Sequence, residues 1–166
     1  MNNQNIIEFP DQFPDGFWHW LKKNQHIYDA FKRNALTGQQ EIDIAIEKVR
    51  SQLGQFKDPR YIVYHDAYQY FSSRFELPAV GAISISDASR PSVARLANIR
   101  NLFTREYVNC IVVEPLHNKG LVQAVTGSIQ TNVVVVDPLA TDLLLSSKLY
   151  IEWFLMAADQ LTVCLS

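Results

Sequence analysis

The pattern of hydrophobic and polar positions divides the chain into a helical first part and an alternating remainder. From Phe17 onward Trp18, Leu21, Ile27, Tyr28 and Phe31 recur near helical spacing, with Lys22, Lys23, Lys32 and Arg33 between them. Gly38 interrupts this pattern beside a capping Thr37, and a second helix follows over 39–55, with Ile42, Ile46, Val49 and Leu53 on one face. After Asp58-Pro59, short apolar runs at 61–64, 80–85, 110–113 and 133–136 alternate with helical patterns at 67–74, 92–107, 119–128 and 148–163. Strands that alternate with helices imply βαβ units and a parallel sheet with right-handed crossovers. The runs at 110–113 and 133–136 are almost wholly β-branched and apolar, which suits central parallel strands. The expected fold is therefore α/β: a four-stranded parallel sheet with helices on both faces, preceded by a long helical spine. Residues 1–16, with Pro10, Pro14 and Gly16, read as irregular, 17–58 as the spine and 59–166 as the α/β lobe.

The run 61–64 ends in His65-Asp66, at the carboxyl end of a strand, where open α/β sheets bind their ligands. A neutral imidazole there can ligate a metal, and the adjacent Asp66 can cap the next helix. The alternative is a histidine that is merely hydrogen-bonded at a helix start. Asp137 ends the last strand before Pro138, where an aspartate caps or braces the loop. Glu114 precedes Pro115 and reads as a holder of its loop through backbone hydrogen bonds; His117 reads as a solvated loop residue and His26 as a helix-surface one.

Composition narrows the partners. With 48% apolar and 19% charged residues the chain has an ordinary globular balance, and a net charge of −2 without a basic face argues against nucleic acid. No apolar run approaches the roughly 20 residues that span a bilayer, so a membrane-spanning role is not expected. The polar start Met1-Asn2-Asn3-Gln4-Asn5 is not a secretory signal, which points to the cytoplasm if Met1 is the true start. There is no glycine-rich phosphate loop, no G-x-S-x-G elbow and no H-E-x-x-H helix, so the chain is not expected to be an enzyme. Cys110 and Cys164 can be a disulfide, closing a loop whose cross-link stabilises by roughly 4 kcal/mol, or free apolar fillers.

His65-Asp66-Ala67-Tyr68 with Tyr70-Phe71 resembles the H-D-A-Y-x-Y-F segment of zinc-binding proteins that serve ABC transporters, the ZnuA type. Pro91, Arg95-Leu96 and Ile99-Arg100 resemble the family's P-x-x-x-R-L-x-x-I-R helix. Cys110 to Pro115 resembles its C-x-x-x-E-P strand end, Asp137-Pro138-Leu139 its D-P-L turn, and Cys164 its near-terminal cysteine. The likeness covers roughly residues 59 to 165 and is to the carboxyl-terminal lobe and connecting helix alone; the first lobe has no counterpart.

The resemblance implies Zn2+ as the bound species, a periplasmic location, and a transporter permease or an amino-terminal lobe in trans as partner. His65 is the ligand it carries over, and Asp137 stands where some relatives use a carboxylate as a fourth. A second family histidine lies in a D-x-H-x-W-L segment, whose nearest likeness is Asp15 to Leu21. Aligning Trp20-Leu21 puts Trp18 in the histidine's place and leaves His19 one position off, a turn of about 100° on a helix. His19 is thus a poor third ligand. The resemblance also implies that Cys110 and Cys164 are bridged in an oxidising compartment. A missing lobe would uncover Trp18, Trp20 and Tyr68, so a homodimer that brings two His65 together is a further expectation. The competing expectation is an interaction or regulatory module without metal, or a remnant of a transport protein.

Overall fold

The computed structural model describes residues 14–84 and 91–166. The chain falls into two compact units divided inside one helix, between Ile46 and Glu47. The first holds α1 (Asp15–Lys23) and most of α2 (Gln25–Leu53). The irregular segment expected over 1–16 lies largely outside the described residues, and Asp15 and Gly16 already belong to α1.

The break between the two spine helices falls at Asn24 and not at Gly38. Asn24 donates its side-chain amide to the Trp20 carbonyl at 2.8 Å, and α2 then runs 29 residues through Thr37 and Gly38 without interruption. A helical glycine costs only about 1 kcal/mol, and with no proline nearby the long helix carries it.

The second unit contains β1 (Tyr61–His65), α3 (Gln69–Phe75), β2 (Gly81–Ser84), α4 (Val93–Arg105), β3 (Cys110–Val113), α5 (Lys119–Thr126), β4 (Asn132–Val135) and α6 (Leu149–Leu165). The four strands are all parallel, in the order β2-β1-β3-β4. Ile62, Ile83, Ile111 and Val113 turn to one face and pack with Ile99 and Phe103 of α4 and Val122 and Val125 of α5. Gly81 permits this closeness, because a Cβ there would stand 2.9 Å from Leu102 Cδ1. Tyr61, Val63 and Val112 turn to the other face, towards Phe71 of α3 and Ala157 and Leu161 of α6. There Phe154 meets the rings of Phe71 and Phe75 at 5.4 and 5.5 Å. The end of α2 joins this layer: Val49 and Leu53 are buried, and Gln52 donates to Asp159 and Thr162 of α6.

β3 is central, as its burial on every residue requires. β4 is not. It forms an edge, and Val133 and Val135 remain 47% and 48% exposed. An apolar β-branched run fits an edge strand as well as a central one, because one buried face already rewards it. Among the described residues no helix is long and apolar enough to cross a membrane.

Cys110, at the start of β3, and Cys164, in the last turn of α6, form a disulfide across a Cα separation of 5.3 Å. Both are fully buried, so the bond ties the amino end of the sheet to the terminal helix. Reduction should lower the thermal unfolding midpoint by roughly 10 °C, from a loss of about 4 kcal/mol of chain-entropy restraint. Calorimetry with and without reductant measures this, and equal midpoints with both thiols titratable would show that the bridge contributes nothing.

Candidate metal-binding site

The carboxyl ends of the strands gather the polar residues. β1 ends in His65, whose carbonyl accepts from Ala67 N at 2.9 Å and turns the chain off the sheet. Asp66 does not cap α3: the cap position is Tyr68, and the Asp66 carboxylate accepts from the Gln69 side chain at 2.8 Å. The loop between β1 and α3 is too long for Asp66 to reach the first-turn amides. Tyr68 is buried, not exposed, and its hydroxyl donates to the Val136 carbonyl at 2.7 Å. Burial pushes its pKa well up, and the charges of Glu114 and Asp137 add to the rise.

Glu114 follows β3 directly and holds its loop through its backbone, as expected. Its Oε1 lies 3.4 Å from Nδ1 of His65, within ion-pair distance and without a hydrogen bond, and both side chains are about one-fifth exposed, at 19% and 22%. The loop is held by the Glu114 carbonyl, which accepts from His117 N at 3.2 Å and pairs with His117 Nδ1 at 2.7 Å. His117 is therefore built in rather than solvated, with its ring edge-on to Tyr64 at 5.8 Å. The Tyr64 hydroxyl accepts in turn from Asn118 N, the N-cap of α5, at 3.3 Å.

Asp137 occupies the turn beyond β4. Leu139 N donates to Oδ1 at 2.9 Å, Thr141 N to Oδ2 at 2.7 Å, and the Thr141 hydroxyl also donates to Oδ2. Its own carbonyl accepts from the Trp153 indole at 2.6 Å. The Thr141 hydroxyl does most to hold the carboxyl below its ordinary pKa; burial, the next effect, opposes it, and the backbone amides of Leu139 and Thr141 add to the lowering. Bracing is thus the role its contacts show.

The structure places His65 and Glu114 side by side, with Tyr68 in the field of both Glu114 and Asp137. His19 is an exposed residue of α1, in the other unit. Among the described residues no three His, Cys, Asp or Glu side chains cluster as a metal site would require. The Glu114 carboxylate is the residue that sequence reading missed. Its signal was present: an acid immediately after a buried strand, in a chain with another strand that ends in histidine.

The depressed pKa of Asp137 gives a pH dependence of known sign. Its contribution to stability is complete above the unfolded carboxyl pKa of about 3.9 and is lost as pH falls through the lower folded value. Asp137→Asn should therefore destabilise the chain near neutrality and flatten its stability profile in acid. Denaturant titrations from pH 7 down to pH 3 test this, and parallel profiles for the two proteins would overturn it.

Comparison with known proteins identifies the family of the chain. Residues 20–164 match the family model described as the periplasmic zinc-uptake complex component A, ZnuA. The high-affinity zinc uptake system protein ZnuA of Paracoccus denitrificans (strain Pd 1222) is 34% identical over 143 residues, 86% of this chain and 43% of that protein. Its counterpart from Brucella suis biovar 1 (strain 1330) is 32% identical over 136 residues, 82% of this chain and 41% of the relative. A mutant structure of the laminin-binding adhesin Lmb from Streptococcus agalactiae superposes with a TM-score of 0.73 at 23% identity, over 87% of this chain and 54% of that one, a likeness of fold. The chain spans about two-fifths of the length of the curated relatives it matches. On the family match over residues 20–164, the chain belongs to the ZnuA family of zinc-uptake components.

Proposed function

We propose that the chain acts as the carboxyl-terminal lobe of a zinc-binding transport component, with His65 as its zinc ligand and zinc as cargo. The observation that carries this reading is His65 at the carboxyl end of the buried strand β1, within the stretch that matches the family. On this reading the chain works outside the inner membrane, hands its ion to a transporter permease, and binds without catalysing a reaction. The curated relatives named above are zinc uptake proteins, and that supports zinc as the ion.

The ligand count limits how tightly one copy can hold zinc. A tetrahedral site takes three or four donors. An ionised carboxylate offers about four lone-pair positions, and Asp137 already spends three on Leu139 N, Thr141 N and the Thr141 hydroxyl. At most one remains for an ion, so Asp137 serves first as a brace. His19 is left out, being one helical position from the place a ligand should occupy. Zinc should therefore bind no tighter than about micromolar, and His65→Ala should abolish the binding. Isothermal titration of the purified chain decides this: nanomolar affinity in a monomer would overturn the ligand count, and unchanged binding in His65→Ala would overturn the ligand.

Exposed apolar residues favour a partner as well as an ion. In the first unit Phe17, Trp20, Ile27, Phe31 and Leu36 stand exposed on α1 and α2. In the second, Leu116 follows β3, and Leu139, Leu144 and Leu145 lie in the segment after β4, all at least 80% exposed. Such surfaces on one short chain are the mark of an interface. On this reading the occupant of these surfaces is an amino-terminal lobe, and a second copy of this chain is the fallback. Sedimentation should show concentration-dependent self-association of the isolated chain. A clean monomer at high concentration, with and without zinc, would defeat this part of the reading.

A further inference from the structure

We propose that the outer edge of β4 is an interaction surface for a second copy of this chain, the two β4 strands pairing antiparallel about a two-fold axis. The inference does not draw on the zinc reading. It places the contact along the sheet edge and leaves the carboxyl ends of the strands open.

The backbone of β4 is committed on one side. Asn132 N donates to the Asn109 carbonyl at 2.8 Å, and Val136 N to the Val113 carbonyl at 2.9 Å. Backbone groups alternate from side to side along a strand, so Val134 also turns to β3, while Val133 and Val135 direct their N–H and C=O groups outward. Among the described residues no strand lies beyond β4. A row of outward donors and acceptors is a template for another strand, and natural edges are guarded by charge, proline or a bulge. Here residues 129–136 contain no charged residue, no proline and no glycine, and β4 pairs with β3 in unbroken register. Such a segment has the composition that pairs readily with a copy of itself.

The geometry of the edge selects the occupant. A two-fold axis at Val134 sets Val133 opposite the second copy's Val135, and Val135 opposite its Val133. All four are outward residues, so the members of each pair exchange both their main-chain hydrogen bonds. Paired residues share a face of the sheet. Val133 and Val135, 47% and 48% exposed, would therefore join their counterparts in one apolar patch. Beside Val133 an open groove of about 370 Å³, lined by Val122, Gln123, Thr126, Ile129 and Thr131, leaves room on that face for the added side chains. With no charge across 129–136, the symmetric contact sets no like charges face to face. The other edge limits the assembly. Arg95 donates to the Ala82 and Ile83 carbonyls and covers part of β2 with a charge, which makes β2 a poor acceptor for another copy's β4. Head-to-tail growth is thus disfavoured, and the pairing closes as a dimer. Two half-exposed valines from each copy make a small interface, and a small interface binds weakly.

The test is sedimentation of the full chain, with its disulfide intact, from about 10 µM to about 1 mM, the span in which a small interface associates. The native chain should pass from monomer to dimer over this range. Val135→Lys puts a charge on the outer edge and should remain monomeric. Leu144→Lys, in the exposed segment after β4, should dimerise as the native chain does. Amide hydrogen exchange on the native chain gives a second reading that needs no variant. Protection of the Val133 and Val135 amides should rise with concentration, while Val134, bonded within the ladder, is protected throughout. A native chain that stays monomeric at about 1 mM would overturn the proposal, as would species that grow beyond a dimer. A folded Val135→Lys chain that dimerises normally, with association lost in Leu144→Lys, would move the contact to the carboxyl ends and overturn it too. If Val135→Lys does not fold, the exchange measurement decides: Val133 and Val135 amides whose protection does not depend on concentration would defeat the pairing.

Discussion

The parallel pairing of β1 with β3 is the contact on which the rest of the second unit depends. Ile62 opposite Ile111 and Val63 opposite Val112 are buried on both faces, so a slip of one residue would exchange the side chains packed against the two helical layers. That register brings two chain ends together that are remote in sequence, and it does so on one face. The helices around the sheet complete the seal: α4 and α5 cover one side through Ile99, Phe103, Val122 and Val125, while α3 and α6 cover the other through an aromatic cluster centred on Phe154. The His65–Glu114 pair stands at the carboxyl ends of the two paired strands.

The two ends of the sheet are stabilised by different means. At the amino end a covalent bond joins Cys110 to Cys164, and Asn132 adds a hydrogen bond from its side chain to the Cys164 carbonyl at 3.0 Å. At the carboxyl end the turn after β4 is held by ionic and neutral hydrogen bonds, with Asp137 accepting three of them on its carboxylate and the Trp153 indole on its carbonyl. Charge-assisted bonds of this kind are about twice as strong as neutral ones. A covalent tie and a dense polar knot thus bracket the strands, and the polar one lies at the same end of the sheet as His65. Ala140, in a left-handed conformation at φ 54°, is held in that turn by its own bond to the Asp137 carbonyl.

The sheet's two edges are treated differently as well. On β2, Arg95 of α4 donates to the carbonyls of Ala82 and Ile83, covering part of the edge with a charged side chain. On β4 the outer residues are Val133 and Val135, half exposed and uncharged. In the other unit Phe17, Trp20, Ile27, Phe31 and Leu36 of α1 and α2 are exposed as well.

By itself the sequence determined the class of fold, the positions of all four strands to within a residue or two, and the strand end that carries His65. Those features follow from periodicity and from local runs such as 110–113, which need no knowledge of neighbours. It also carried the family motifs, among them the two cysteines, Cys110 and Cys164, that the structure shows bridged. Tertiary structure alone decided the rest. Gly38 passes unnoticed inside α2 because propensity is a small term beside the continuity of a long helix. β4 lies at an edge because strand order is a property of the assembled sheet, and valines are equally at home with one buried face or two. Asp137 became a brace because Leu139 and Thr141 fold back onto it. The Glu114 side chain met His65, and its carbonyl met His117, because parallel register and a tight loop joined groups whose types were legible but whose distances were not.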